Sequence, residues 1–351
     1  MATQSDSDEV RHGNENKYFD VVIKPMLTPG HEGELIEWMK DMGLIKQAVR
    51  CPCAGQRGKM VWSKARIVDK YTWVCRACSK KLSIRSESFF AGFKCDLKKV
   101  MLAILCWCNR VSGEVAAKQL DLRLTVVFRI YDSLSQVASN YVKAHSDEWK
   151  LGGENVVVLV DVYPDGYMST VPRSMEVGRR RSTNKKRILC IAEISQIPSR
   201  IWVKILEEVS SNSKDSPEVT QRAVQEALHE ITEHVLPGSI LLANERSAVC
   251  PFSAVRTLKD FPMVHSVEHL KELNVPGTRA VEENLETIWQ SVVDVCDESQ
   301  EVRKSVGSLL LDEFLWRQLI SQTTSSKVES ILHQIAEQYS ERWRQRRHNT
   351  A

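Results

Sequence analysis

Two pairs of cysteines, Cys51-Pro52-Cys53 and Cys75-Arg76-Ala77-Cys78, constrain this chain more than any other feature. Zinc is tetrahedral and soft enough to prefer sulfur, so two thiolate knuckles facing each other hold it well. Cys75-x-x-Cys78 has ordinary knuckle spacing. Cys51-x-Cys53 is one residue tighter, which strains its chelate. Pairs separated by roughly twenty residues match a zinc ribbon. Four protein ligands leave no open position, so such a zinc is structural. The alternative is two pairs of reduced, unliganded cysteines. No apolar stretch is long enough to span a bilayer and no signal-peptide pattern opens the chain, so reduced thiols and no membrane partner are expected. Cys95, Cys106, Cys108, Cys190, Cys250 and Cys296 fall in apolar or helical patterns and read as buried thiols.

The chain has 351 residues, 42% hydrophobic and 26% charged, enough for two or three domains with real cores. A net charge of +3 selects no partner, so charge distribution matters more. Residues 1–17 are acidic and polar and read as a disordered tail. Residues 18–92 hold a short helix, Glu34 to Met42, and the cysteine pairs. Residues 93–150 turn helical, with Val100, Met101, Ile104, Leu105 and Cys108 at helix spacing. A second short helix carries Val115, Ala116 and Leu120. Asp121-Leu122-Arg123 is a turn, and a third helix runs from Leu124 to Tyr141. This is the pattern of a helix-turn-helix or of a plain helical bundle.

Gly152-Gly153 opens the next domain, residues 151–320. Val156 to Val160 is a continuous apolar run that suits a strand buried on both faces, ending in Asp161. Gly166 to Val171 and Ile188 to Ile194 read as further strands. Between them lies a basic run, Arg179-Arg180-Arg181 and Lys185-Lys186-Arg187, suited to phosphate contacts, to nuclear import, or to a solvated loop. Ser216-Pro217-Glu218 starts a helix that Pro237-Gly238 stops. Ile240 to Ala243 is a short buried strand ending at Asn244. Met263-Val264-His265 is another. Ala280 to Cys296 is a helix with Val281, Leu285, Ile288, Trp289 and Val292 on its stripe. Residues 321–351 hold a last helix, Val328 to Trp343, and a basic tail. Its face of Ile331, Leu332, Ile335 and Tyr339 suits the core or a partner chain.

Asp161 and Asn244 thus end two strands, and Glu286 lies on a later helix. Two acidic residues at neighbouring strand ends and a third from a helix can bind two divalent cations. These activate a water or a DNA 3′-hydroxyl and stabilise the leaving oxygen. Taken alone, a strand-end Asp is more often a turn former and a helix Glu a solvated residue.

Seven stretches, in order from about Cys51 to Arg317, resemble the Merlin-type transposases of eukaryotes and related bacterial insertion-sequence transposases. Trp73-Val74-Cys75-Arg76 through Ser83-Ile84-Arg85-Ser86-Glu87-Ser88-Phe89-Phe90 is similar to that family's second knuckle and its continuation. Val160-Asp161 resembles the first catalytic Asp, and Gly178-Arg179 the Gly-Arg element after it. Leu236-Pro237-Gly238-Ser239-Ile240 through Asn244-Glu245 is similar to the segment carrying the second Asp. Val264-His265-Ser266 follows as in the family. Glu283 to Trp289 resembles the helix carrying the final Glu, and Leu311 to Arg317 the family's ending. The resemblance implies a zinc ribbon, a helix-turn-helix-like segment, and an α/β RNase H-like catalytic domain, a mixed sheet flanked by helices, with Asp161, Asn244 and Glu286 at the triad positions.

The departures are as informative. The second Asp is Asn244. The acid that usually follows the first Asp is Val162, the Trp after the second is Arg246, and the His-Thr-Asn before the final Glu is Val281-Glu282-Glu283. Magnesium binds through hard, charged oxygens, so one neutral ligand weakens its site. Glu245 does not substitute, because neighbours on a strand point to opposite faces. The expectation is a host-adopted, nuclear, transposase-derived protein that binds double-stranded DNA or chromatin without cutting. Its phosphate contacts would be Arg123, Arg129, Arg179, Arg180, Arg181, Lys185, Lys186 and Arg187, and its cofactor structural Zn2+. A second reading is a working transposase needing Mg2+ or Mn2+. A third is a scaffold for nuclear proteins, dimerising through the last helix.

Overall fold

In chain order the principal helices and strands, short helical turns aside, are α1 (Glu32–Asp41), β1 (Met60–Lys64), β2 (Tyr71–Cys75), β3 (Lys81–Ser83), α2 (Leu97–Cys108), α3 (Gly113–Leu120) and α4 (Leu124–Ala144). There follow β4 (Val157–Tyr163), β5 (Ile188–Glu193), β6 (Arg200–Ile205), α5 (Pro217–His234), β7 (Ile240–Ala243), β8 (Met263–Ser266), α6 (Thr278–Glu301), α7 (Lys304–Leu319) and α8 (Thr324–His348). The computed structural model describes residues 18–51, 53, 59–164, 166, 186–194, 199–206, 217–245, 247, 249–272, 278–320 and 323–348. The expected tail over 1–17, the cations Arg179, Arg180, Arg181 and Lys185, and residues 167–171 of the expected strand from Gly166 lie outside the described residues. The chain divides into two units, Met1–Asn140 with Leu319–Ala351, and Tyr141–Gln318.

In the first unit, β1, β2 and β3 form an antiparallel sheet in which Trp62 faces Trp73 and Lys64 faces Tyr71. Period-two alternation puts Tyr71, Trp73 and Cys75 on one face. Trp62 stacks on Tyr71 at 5.0 Å and meets Trp73 edge-on at 5.0 Å. Helix α1 joins this cluster through Trp62 Nε1, which donates to Glu37 Oε1 at 2.7 Å, and through the Lys40 ammonium, 4.7 Å above the Trp62 ring.

The helical pattern read from the sequence is present at nearly the expected bounds. Asp96 caps α2 by accepting from the Lys98 amide at 2.8 Å, and Ser112 caps α3. Asp121 ends α3 in the left-handed region at φ 49°, and the Leu122 amide returns to the Ala117 carbonyl at 3.0 Å. Ala116, Ala117 and Val127 form the small core of this turn, with Cys106, Val111, Leu122 and Tyr131 packed around it. The stripe of α8, Val328, Ile331, Leu332 and Ile335, is buried within this unit. Gln338 bonds Asn140 and the Val137 carbonyl, and Tyr339 meets Phe89 edge-on at 5.8 Å. That stripe is therefore covered by the chain's own residues.

The second unit is a mixed five-stranded sheet in the order β6-β5-β4-β7-β8, flanked by helices. β4 lies antiparallel to β5 and parallel to β7, and every residue of β4 is buried, as its unbroken apolar run requires. Gly152, at φ +80°, sits where a methyl group would overlap the Ser239 hydroxyl, so only glycine fits the entry to this strand. Three corrections arise here. β4 continues past Asp161 to Tyr163, so Asp161 lies within the strand. β6 and α7 are elements the sequence reading did not identify. Helix α6 extends to Glu301, because Lys186 holds its C-terminal end: the Lys186 ammonium donates to the carbonyls of Ser299 at 2.9 Å and Gln300 at 3.0 Å.

Candidate functional site

The four cysteines predicted as zinc ligands come together at the root of the β1–β2 hairpin. Their sulfurs lie within 4.8 Å of one another, a cluster able to hold a metal ion such as zinc. Cys51 and Cys75 are buried, and Cys53 and Cys78 exposed. The Sγ–Sγ distances are 3.6 Å for Cys51–Cys78 and 3.9 Å for Cys53–Cys75, against about 3.8 Å for the edge of a tetrahedron with ~2.3 Å bonds. Cys51–Cys53 and Cys53–Cys78 are closer, at 2.9 Å each, the first being the tight Cys-x-Cys pair. The backbone amides of Cys78 and Ala77 point at the Cys75 sulfur and bring its pKa down to about 7, the Cys78 amide contributing most. That is the sense needed for a thiolate ligand. Bonds from Cys51 and Cys78 instead push the Cys53 thiol up.

Buttressing this module is a buried ion pair. Arg85 Nε donates to Asp69 Oδ2 at 2.8 Å, a second guanidinium nitrogen bonds Asp69 Oδ1, and Nη1 donates to the Phe93 carbonyl at 2.7 Å.

In the second unit the register explains why Asp161 and Asn244 belong together. Val160 pairs with Ala243 in the parallel β4–β7 ladder, so one step further Asp161 stands beside Asn244, on the same face. On its other side Asp161 faces Cys190. Both Asp161 and Asn244 are buried. Asp161 Oδ1 accepts from the Val162 amide at 2.9 Å, and Gly166 lies so close that a methyl group there would overlap the carboxylate. The surroundings are apolar and thiol-rich. Burial, the Cys296 thiol and the Asp161 charge all raise the pKa of Cys190, and burial with the Asp161 charge raises Cys250 to about 12. Cys296 comes from α6, the helix of Glu286. Glu286 itself is exposed, one residue past the buried Leu285. Among the described residues, the four cysteines are the one group of three or more acidic, His or Cys side chains close enough to share a metal.

The neighbouring departures also have places. Val162 is buried, and Glu245 is exposed with an oxygen 3.5 Å from His269 Nε2. Residue 246 lies outside the described residues.

The expected phosphate contacts separate. Arg123 and Arg129 are exposed at the start of α4, with Arg129 Nη1 donating to the Gly92 carbonyl at 3.2 Å. Lys186 is a correction: it is buried, with its ammonium closing the end of α6, and is withdrawn from any phosphate surface. Arg187 is half-buried at the start of β5.

The sequence reading missed a basic surface on the sheet module. From Lys59 to Arg85 the chain carries eight Lys or Arg and one acid, Asp69. Arg85 neutralises Asp69, and the other seven cations are exposed. The signal was present as charge density, spread at intervals and not in a run. No helix among the described residues is long and apolar enough to cross a membrane. No family model matches the chain, and no curated protein matches it.

Proposed function

We propose that this chain is a transposase-derived, nuclear DNA- or chromatin-binding protein that has lost strand cleavage. The ordered resemblance to Merlin-type transposases supplies the ancestry, and ancestry transfers more safely than activity. An RNase H-like reading of the second unit is supported by its mixed sheet and by Asp161 on β4 beside Asn244, the residue that follows the parallel strand β7.

The observation that carries the loss of catalysis is the Asp161–Asn244 pair. Two-metal chemistry needs charged oxygens facing an open site that receives DNA. Here the second position is a neutral amide, and the one carboxylate is buried among thiols under Gly166. Retained DNA binding is supported by the cysteine cluster, by α3 and α4 with their tight turn, and by seven exposed cations on the sheet module. Cys51, Cys53, Cys75 and Cys78 would hold zinc, whose role is to close a module with little core of its own. Arg179, Arg180, Arg181 and Lys185 would serve import or phosphate contact.

The test is binding of the full chain to random duplex DNA by fluorescence anisotropy across a salt series. Affinity falling steeply, with a log–log slope of several units, is expected from phosphate contacts. Absence of binding at low salt would favour the protein-scaffold reading.

A further inference from the structure

The tip of the β1–β2 hairpin exposes two adjacent aliphatic side chains. Ile67 is 49% exposed and Val68 is 63% exposed, side by side in a turn otherwise made of Arg66, Asp69 and Lys70. The turn has a fixed geometry. The Ala65 amide donates to the Lys70 carbonyl at 2.8 Å, the Lys70 amide to the Ile67 carbonyl at 3.0 Å, and Lys70 takes φ 59°. The Arg85–Asp69 ion pair anchors it from beneath, where Asp69 is 12% exposed and Arg85 9%. The single acid of the turn is thereby neutralised and turned inward. Lys64, Arg66 and Lys70 remain exposed around the two aliphatic side chains.

We propose that this turn is a wedge that enters the minor groove of duplex DNA. This rests on the DNA-binding reading above and names the contacting element. Proteins that bend DNA insert apolar side chains, isoleucine among them, between base steps, while flanking cations hold the phosphates. An apolar pair ringed by cations, with its carboxylate removed, complements a groove whose rims are anionic and whose floor is flat and apolar between bases. A rigid tip delivers the wedge without an ordering cost at the moment of binding.

The experiment uses the full, zinc-loaded chain and a 20-base-pair duplex carrying central TA steps and end-to-end fluorescent labels. Three proteins are compared: wild type, Ile67→Ser with Val68→Ser, and Arg66→Ala with Lys70→Asn, asparagine being tolerated at left-handed φ. All four positions are exposed, so unchanged melting temperature and zinc content are expected. Wild type should bind and bring the duplex ends closer. The serine variant should keep the salt slope but lose the end-to-end change and about tenfold in affinity. The cation variant should lose about 0.9 units of salt slope per phosphate contact removed. Wild-type DNA binding with both variants indistinguishable from it would overturn the wedge and leave the DNA-binding reading standing. No wild-type binding would overturn both. Loss of binding to phosphatidylserine vesicles, with DNA binding intact, would make the turn a membrane-surface contact and overturn the wedge.

Discussion

Asn244 stands one register step past Ala243, beside Asp161, in a site that water barely reaches. An amide there adds no second carboxyl beside Asp161. Replacing it by Asn244→Asp sets two carboxylates side by side, which cannot both ionise without a cation between them. One proton would be held in the folded state above its ordinary pKa, so stability would be retained at low pH and lost as pH rises. Asn244→Asp is expected to cost about 2–4 kcal/mol at pH 7 by urea unfolding. The loss should shrink at pH 5 and on adding millimolar Mn2+. A variant as stable as wild type at pH 7 without metal would show that this position is open to solvent. That Asp161 and Asn244 are neighbours follows from the register of two strands whose apolar runs the sequence shows. Glu286 was legible as a helix residue, but its exposure depends on how α6 is rotated, which sequence spacing alone leaves open. Lys186 was misread because a basic run looks solvated, while its carbonyl partners lie more than a hundred residues away.

At the level of elements, α5 is tied to β6 by one buried polar network. Trp202 Nε1 donates to Glu230 Oε2 at 3.2 Å, Lys204 pairs with Glu230, and His234 stacks on Trp202 at 3.7 Å. His234 Nδ1 donates to the Trp149 carbonyl at 2.9 Å. Burial lowers the His234 pKa below its ordinary 6.5. The folded protein therefore resists a proton that the unfolded chain accepts, and stability falls as pH drops below 6.5 toward the lowered value. Wild type should lose melting temperature between pH 6.5 and 5 more steeply than His234→Gln, although the variant starts lower at pH 7.5. Parallel slopes would remove His234 from the acid response. The helices of the first unit and β4, β5, β7 and β8 were legible from caps, turns and apolar runs. β6 was not, because Arg200 and Lys204 bracket its buried Ile201, Trp202 and Val203 and read as surface until Glu193 and Glu230 are seen to pair with them.

For the whole molecule, sequence order hid one thing that packing decides. The C-terminal helix α8 belongs to the first unit, more than 170 residues from its nearest other member Asn140. A stripe reveals that a face will be buried and says nothing of what buries it. The sheet module was legible through its cysteines, and its charge was not, since seven exposed cations scattered over the strands and turns from Lys59 to Lys81 form no run. On the proposed function, this module, stapled by metal, grips DNA while the second unit has ceased to cut. Its most direct test is DNA affinity measured on one preparation before zinc removal, after chelation, and after zinc is restored, with metal content followed alongside. The account predicts one zinc per chain, binding lost on chelation, and binding recovered with zinc. Equal affinity in the zinc-free protein would contradict it.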